Sequence, residues 1–384
     1  MSIIIAGDIV PTHSNEKLFD KGNVDSLIGK ELKTLLKEVD FRVFNLETPL
    51  VEKETPIRKC GPCLSAPIST VTGIKEMGWD LASIANNHIM DQGANGLEST
   101  LNLLRQNHIS TVGAGDSIFS ASTPYIINSG GKTVGFYSCV EHEFSCASES
   151  IEGANPFDFI ESYNHIYELK KTCDHIVVLF HGGKEHYRYP SPLLQKVCRN
   201  FIDKGADLVI CQHSHCIGCF EKYHLGTIIY GQGNFIFDHL KNECWDTGLL
   251  IRISDSFEID YIPVVRSMNG VRLAGDHKKN EILSEFKNRS EEIKDKKIIV
   301  QKYEELSYSY IDGYLYDLSG KDNILYKSIN KILNNGLRKL RFRHRYNDEA
   351  LLRILNHIEC ESHNELFVEG IKNYIKKRGT NFRT

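Results

Sequence analysis

Ala206-Asp207-Leu208-Val209-Ile210-Cys211-Gln212-His213-Ser214-His215 reads as a short buried strand that runs straight into two histidines. Imidazoles spaced i, i+2 beyond a strand end converge on one point if the backbone loops there. Imidazole suits a borderline divalent cation. A lone His-x-His is equally compatible with a surface loop, but four other apolar runs end in the same way. They are Gly7-Asp8, Asn45-Leu46-Glu47, Asn86-Asn87-His88 and Phe180-His181-Gly182-Gly183. Five strand ends carrying His, Asp, Glu and Asn meet along one edge if the strands lie in an α/β sheet, and that edge is where such folds build sites.

Working outward, strands alternate with helix-periodic stretches over residues 1–265. The pattern predicts β-α-β units and a mainly parallel core, with later strand pairs forming a second, antiparallel layer. Helices are expected over 26–39, 96–106, 158–171 and 192–204. The proline-rich stretch 48–68 reads as a long loop. Composition shifts near residue 275 to lysine- and glutamate-rich sequence. Helical spacing follows there and at 322–339, 347–361 and 364–377. A basic cluster (Arg338, Lys339, Arg341, Arg343, His344, Arg345) lies between two of these stretches and reads as a solvated face or an acidic-partner contact.

Composition excludes several classes. The 384 residues are 41% hydrophobic and 25% charged, ordinary for a globular protein, and a net charge of -4 gives no global field for nucleic acid. No stretch has the ~18 apolar residues of a membrane span. The apolar start, Ile3-Ile4-Ile5-Ala6, reads as a first strand rather than a signal peptide, so a cytoplasmic protein is expected. Eleven cysteines, including Cys60-Gly61-Pro62-Cys63, read as reduced thiols rather than a disulfide framework.

By chemical type, Asp8 and Glu47 are carboxylate ligands, and one carboxylate can bridge two ions. His181, His213 and His215 are neutral nitrogen donors, and Asn87 offers a carbonyl oxygen. Two ions ~3.5–4 Å apart can hold an attacking hydroxide and the oxygens of a phosphate. His88 would then protonate the leaving oxygen, and Asp91 would orient His88. Each residue has a plainer role open to it: Asp8 as a turn cap, Glu47 paired with Arg42 or Arg58, Asn87-His88 as a helix cap, His181 as a loop histidine.

In this order, Gly7-Asp8, Asn45-Leu46-Glu47, Asn86-Asn87-His88-(x)2-Asp91-x-Gly93, His181-Gly182-Gly183-x-Glu185, His213-x-His215 and Gly231-Gln232-Gly233-Asn234-Phe235-Ile236-Phe237-Asp238 resemble the CapA family. That is the capsule or poly-gamma-glutamate synthesis family of the calcineurin-like metallophosphoesterase superfamily. The likeness covers about residues 1–265 and implies a four-layer α/β/β/α sandwich. It implies one or two divalent ions (Mn, Zn or Fe), with Glu47 bridging, Asp8 and His215 on one ion, and Asn87, His181 and His213 on the other. His88 matches the proton donor, and Asn234 matches a signature position. Two departures stand out. The superfamily's Asp-x-His is Asp8-Ile9-Val10 here, and its bridging aspartate is a glutamate.

The leading expectation is a metal-dependent hydrolase of a phosphoester or related anionic small molecule or polymer. Its place would be capsule, exopolysaccharide or poly-gamma-glutamate metabolism. The competing readings are a metal-dependent amide hydrolase or transferase on gamma-glutamyl substrates, and a non-catalytic subunit of a polymer synthetase. Substrate contacts are expected from Lys184, Glu185 and Arg188, from His142 in Glu141-His142-Glu143, and from Asn234. The division is expected as a catalytic domain, 1–268, and a helical C-terminal region, 269–384, that binds a partner or self-associates.

Overall fold

Ile3, Ile5 and Val43 share one apolar cluster, whereas their neighbours Ile4, Ala6 and Phe44 belong to another. This alternation places the first strands between two apolar layers, because successive side chains of a strand point to opposite faces. The same split runs through the later strands. Val177, Leu179, Leu208 and Ile210 face the first cluster, while Ile176, Val178, Phe180, Val209 and Cys211 face a third. Two sheets therefore share a central apolar layer, and each is covered outside by helices. The result is a four-layer α/β/β/α sandwich. The computed structural model describes residues 2–129, 131–237, 242–318 and 345–377.

The strands used below are β1 (Ile3–Ile9), β2 (Phe41–Leu46), β3 (Leu81–Ser83), β4 (Ser110–Val112), β5 (Tyr125–Ser129), β6 (Lys132–Val140), β7 (His175–His181), β8 (Leu208–Gln212), β9 (Phe220–Tyr223), β10 (Gly226–Tyr230), β11 (Asn234–Ile236), β12 (Thr247–Ile253), β13 (Ile259–Ser267) and β14 (Gly270–Leu273). The first sheet has the order β14-β13-β12-β1-β2-β3-β4, with β11 pairing β1, and the second β9-β10-β8-β7-β6-β5. Strands β1 to β4 are mutually parallel, as are β6, β7, β8 and β10. The antiparallel pairs β5/β6 and β12/β13 extend these sheets at their flanks. The expected separate antiparallel layer is thus not formed; both sheets are mixed.

Helices α1 (Gly29–Lys37) and α2 (Gly93–Gln106) cover the first sheet, and α3 (Glu161–Leu169) and α4 (Pro192–Asp203) the second. The expected helix 26–39 is interrupted where Gly29 takes φ +74°. Ser191 caps α4 by accepting from the Leu194 amide, with Pro192 at the first turn.

The chain divides into compact units of 1–300 and 301–384. The expected boundary at 268 falls short of the first unit's end because α5 (Asp276–Glu292) packs into it. Ile282 and Phe286 are buried in the inter-sheet cluster, and Arg289 Nε donates to the Gly218 carbonyl. Ile299, near the start of α6 (Lys296–Leu318), is also buried with the first unit. The described remainder of the second unit includes α7 (Asp348–Glu359) and α8 (Glu361–Lys377). The expected helix 322–339 and the basic cluster, Arg345 excepted, lie outside the described residues. Among the described residues no helix is long and apolar enough to cross a membrane.

Phe286→Ala is expected to destabilise the chain by about 3–5 kcal/mol in chemical denaturation, as for a fully buried core phenylalanine. A shift below 1 kcal/mol would show that α5 adds little to the first unit.

Candidate metal centre

In parallel strands every carboxyl end lies on the same edge, so residues at those ends are brought together whatever their separation along the chain. Asp8 stands near the end of β1, Glu47 directly follows β2, and Asn87-His88 follow β3. His181 ends β7, and His213 follows β8. All are buried. Two groups of ligand atoms form, Glu47 with His181 and His213, and Asp8 with Glu47 and His215; within each group the atoms lie within 4.8 Å of one another. Glu47 belongs to both.

Around His181 Nε2 stand Asn87 Oδ1 at 3.1 Å, His213 Nδ1 at 3.2 Å and Glu47 Oε1 at 3.3 Å. Three lone-pair-bearing atoms facing one nitrogen is a poor hydrogen-bond arrangement but suits donors around one ion. Ligands ~2.1–2.2 Å from a common cation stand about 3.0–3.5 Å apart. Neither oxygen of Glu47 has a hydrogen-bond partner, although the residue is fully buried. Such a carboxylate is strongly unfavourable without a cation. These donors fit a divalent ion.

His213 and His215 both hold left-handed backbone, φ +85° and +54°. Outside glycine this conformation costs about 1–3 kcal/mol and clusters at functional sites. Both rings belong to donor groups that contain Glu47. Across the sheets, Gln212 Nε2 donates to Gln232 Oε1 at 3.1 Å and to the Ala6 carbonyl at 3.3 Å, while Gln232 Nε2 donates to the Ile5 and Leu249 carbonyls.

The electrostatics follow from burial. It pushes His181 down to about 3, and burial with the neighbouring imidazoles holds His213 well below its usual value, so both are neutral donors. Burial, reinforced by the Asp8 charge, raises Glu47 well above the carboxylate range. Burial also opposes ionisation of Asp8 and charging of His215. Their mutual hydrogen bond and charge attraction, together with the hydrogen bonds of Asn45 to Asp8 and of Asn234 to His215, outweigh it, lowering Asp8 and raising His215.

His88 Nδ1 lies 2.6 Å from Asp91 Oδ2. Asp91 Oδ2 also accepts from the Leu64 amide at 2.6 Å. Sequence reasoning missed Lys59, which forms a buried ion pair with Asp91 and places Nζ 3.3 Å from His88 Nδ1. It sits in the proline-rich loop, where no periodicity marks it. Also missed was an amide chain behind the ligands. Asn45 Nδ2 donates to Asp8 Oδ1 at 2.8 Å, Asn86 Nδ2 donates to Asn45 Oδ1 at 3.1 Å, and the His88 amide donates to Asn86 Oδ1 at 3.2 Å.

Of the residues expected at the substrate, Lys184, Glu185 and His142 are exposed on loops that follow β7 and β6. Glu185 is close enough for its charge to raise Glu47. Arg188 donates from Nη1 to the Ile217 carbonyl at 3.0 Å, and its Nη2 is 3.9 Å from Glu243. Asn234 is buried beside His215. In the Glu141-His142-Glu143 loop, Glu143 approaches the ligands, with Oε2 3.5 Å from Asn87 Nδ2. An aromatic wall closes one side: Trp245 stacks on His215 at 4.3 Å and donates from Nε1 to His186 Nε2 at 2.8 Å.

The family model for the bacterial capsule synthesis protein PGA_cap matches residues 2–239, a span containing the candidate ligands, His88, Asp91 and Lys59 but not Trp245. The capsule biosynthesis protein CapA of Bacillus anthracis is 27% identical over 277 residues, covering 69% of this chain and 67% of its own. The PGA biosynthesis protein CapA of Bacillus subtilis is 28% identical over 255 residues, covering 65% and 67%. A solved phosphatase from Mycoplasma pneumoniae aligns at 11% identity with a TM-score of 0.44, covering 69% of this chain and 93% of that one.

Two outcomes are expected. Lys59→Met leaves Asp91 as a buried carboxylate short of its cation and lowers stability by about 3–5 kcal/mol, part of which Asp91→Asn in the same chain restores. Chemical denaturation of the single and double variants measures both. Because Glu47 and His215 hold their protons to higher pH than usual and must give them up to bind an ion, binding of Mn2+ releases protons over the range where they are protonated. Affinity therefore rises with pH until both are deprotonated. Calorimetry at several pH values in buffers of different ionisation enthalpy counts the protons, and an affinity that does not rise with pH contradicts the raised Glu47.

Proposed function

The chain belongs to the bacterial capsule synthesis protein family PGA_cap, and on that premise we propose that it is a metal-dependent hydrolase of a phosphoester or related anionic substrate, acting in capsule or poly-gamma-glutamate metabolism. One observation carries the reading: two buried donor groups, Asp8 with His215 and His181 with His213, share the unpaired carboxylate of Glu47. A divalent ion bound there supplies Lewis-acid polarisation of a phosphoryl oxygen and a water of lowered pKa.

The chain's own residues supply the rest. Burial keeps His181 and His213 neutral and ready to ligate. Asp91 engages His88 Nδ1, which leaves Nε2 to give a proton to the leaving oxygen. Lys59, paired with Asp91, fixes that carboxylate in place. Lys184 and His142, on exposed loops after β7 and β6, are assigned to the anionic substrate. Arg188, engaged with the Ile217 carbonyl, is assigned to shaping the loop rather than to the substrate. The Asp8-Asn45-Asn86-His88 chain holds one ion's ligand and the proton donor in fixed relation.

The test is elemental analysis of the purified chain together with turnover of aryl phosphomonoesters and phosphodiesters. Bound Mn, Zn or Fe is expected. His213→Ala should lower turnover at least about a hundredfold, since even outer-shell partners of metal ligands cost ten- to a hundredfold. Equal turnover in His213→Ala would overturn the reading. Cleavage of gamma-glutamyl amides without phosphoester turnover would keep the ions and reassign the substrate class.

A further inference from the structure

The two donor groups are unequal. His181 Nε2 is faced by three donors, Asn87 Oδ1, His213 Nδ1 and Glu47 Oε1. Among the described His, Cys, Asp and Glu residues, the other group consists of Asp8, Glu47 and His215. Position 10, two residues beyond Asp8, adds no donor: Val10 is buried in an apolar cluster with Cys216, Phe237, Cys244 and Trp245.

Asn234 stands beside this incomplete group. It opens β11, which runs parallel to β1 with Asn234 opposite Asp8. Its Oδ1 is 2.9 Å from His215 Nδ1, which is itself 3.5 Å from Asp8 Oδ2. These are the separations of donors on one ion, about 3.0 Å in octahedral and about 3.5 Å in tetrahedral geometry. The side chain is 5% exposed, and its Nδ2 has no hydrogen-bond partner. A buried amide with an unpaired end is not explained by one hydrogen bond to an imidazole.

The backbone is shaped to bring the amide there. A Cβ on Gly7 would lie 2.0 Å from the Gly233 carbonyl oxygen, so β1 and the 231–234 turn approach closely only because residue 7 has no side chain. Gly233 takes φ +73°, which suits glycine.

We propose that Asn234, through Oδ1, is the neutral ligand that completes the Asp8–Glu47–His215 group, so that the chain holds two ions. The proposal rests on the metal-dependent reading of the preceding subsection and extends it. It also predicts unequal ions. Three oxygens and one nitrogen favour a manganese-type cation at this position, whereas two imidazoles with Glu47 and Asn87 suit zinc or iron at the other.

The test is calorimetric titration of the metal-free full chain with Mn2+, with bound metal counted after gel filtration. The wild-type chain is expected to take up two ions, Asn234→Ala one, and Asn234→Asp two again. Two ions bound by Asn234→Ala with unchanged affinities would overturn the proposal, as would a wild-type chain that takes up only one. A wild-type chain that takes up none would instead refute the underlying metal-dependent reading. Should Asn234→Ala not fold, wild-type crystals soaked in Mn2+ decide. An anomalous peak about 2.2 Å from Asn234 Oδ1 supports the assignment, and a peak at His181 and His213 without one at Asn234 overturns it.

Discussion

Glu47 is a fully buried carboxylate with no hydrogen bond to either oxygen, set close to a second buried carboxylate, Asp8. Burying such a group uncompensated is among the most costly arrangements a fold can contain. His181 and His213 do not relieve it by charging, because burial holds them neutral. Its raised pKa lets protonation relieve it, a cation would relieve it as well, and the surrounding atoms are spaced as donors to one. The position of each strand end around Glu47 is best understood as serving that requirement.

The architecture meets it through two properties of parallel strands. Each sheet is buried on both faces, with Ile3 and Ile5 pointing into the shared layer and Ile4 and Ala6 toward the helices. Strand interiors are therefore apolar, and chemistry is confined to the ends. All parallel strands end at the same edge, so Asp8, Glu47, Asn87, His181 and His213 arrive there together. Gln212 and Gln232 tie the two sheets beside the site, while His213 and His215, both left-handed, each join a donor group that contains Glu47. Strain and unpaired charge are thus concentrated where a ligand can offset them.

Much of this was readable in the chain. The five apolar runs ending in Asp, Glu, Asn or His each became a strand with that residue at or within a few positions of its carboxyl end, because apolar strands and their polar ends are marked locally. The ion pair of Lys59 with Asp91 and the stacking of Trp245 on His215 were not readable. Lys59 lies in a loop without periodicity, and Trp245 in a short turn of 3-10 helix. Likewise α5 read as part of a separate C-terminal region. Its burial through Ile282 and Phe286 depends on a surface that the distant strands create.

The division follows from range. Periodicity and residue type act over a few positions, so they were enough to establish an α/β chain whose strand ends carry metal-type side chains, and no more. Which groups touch across long separations was decided by sheet order and register: Asn234 opposite Asp8, Lys59 against Asp91, Asn45 between Asp8 and Asn86. Register is a collective outcome of packing two sheets against their helices. No single stretch of chain contains it, which is why the completeness of each donor group could be judged only in three dimensions.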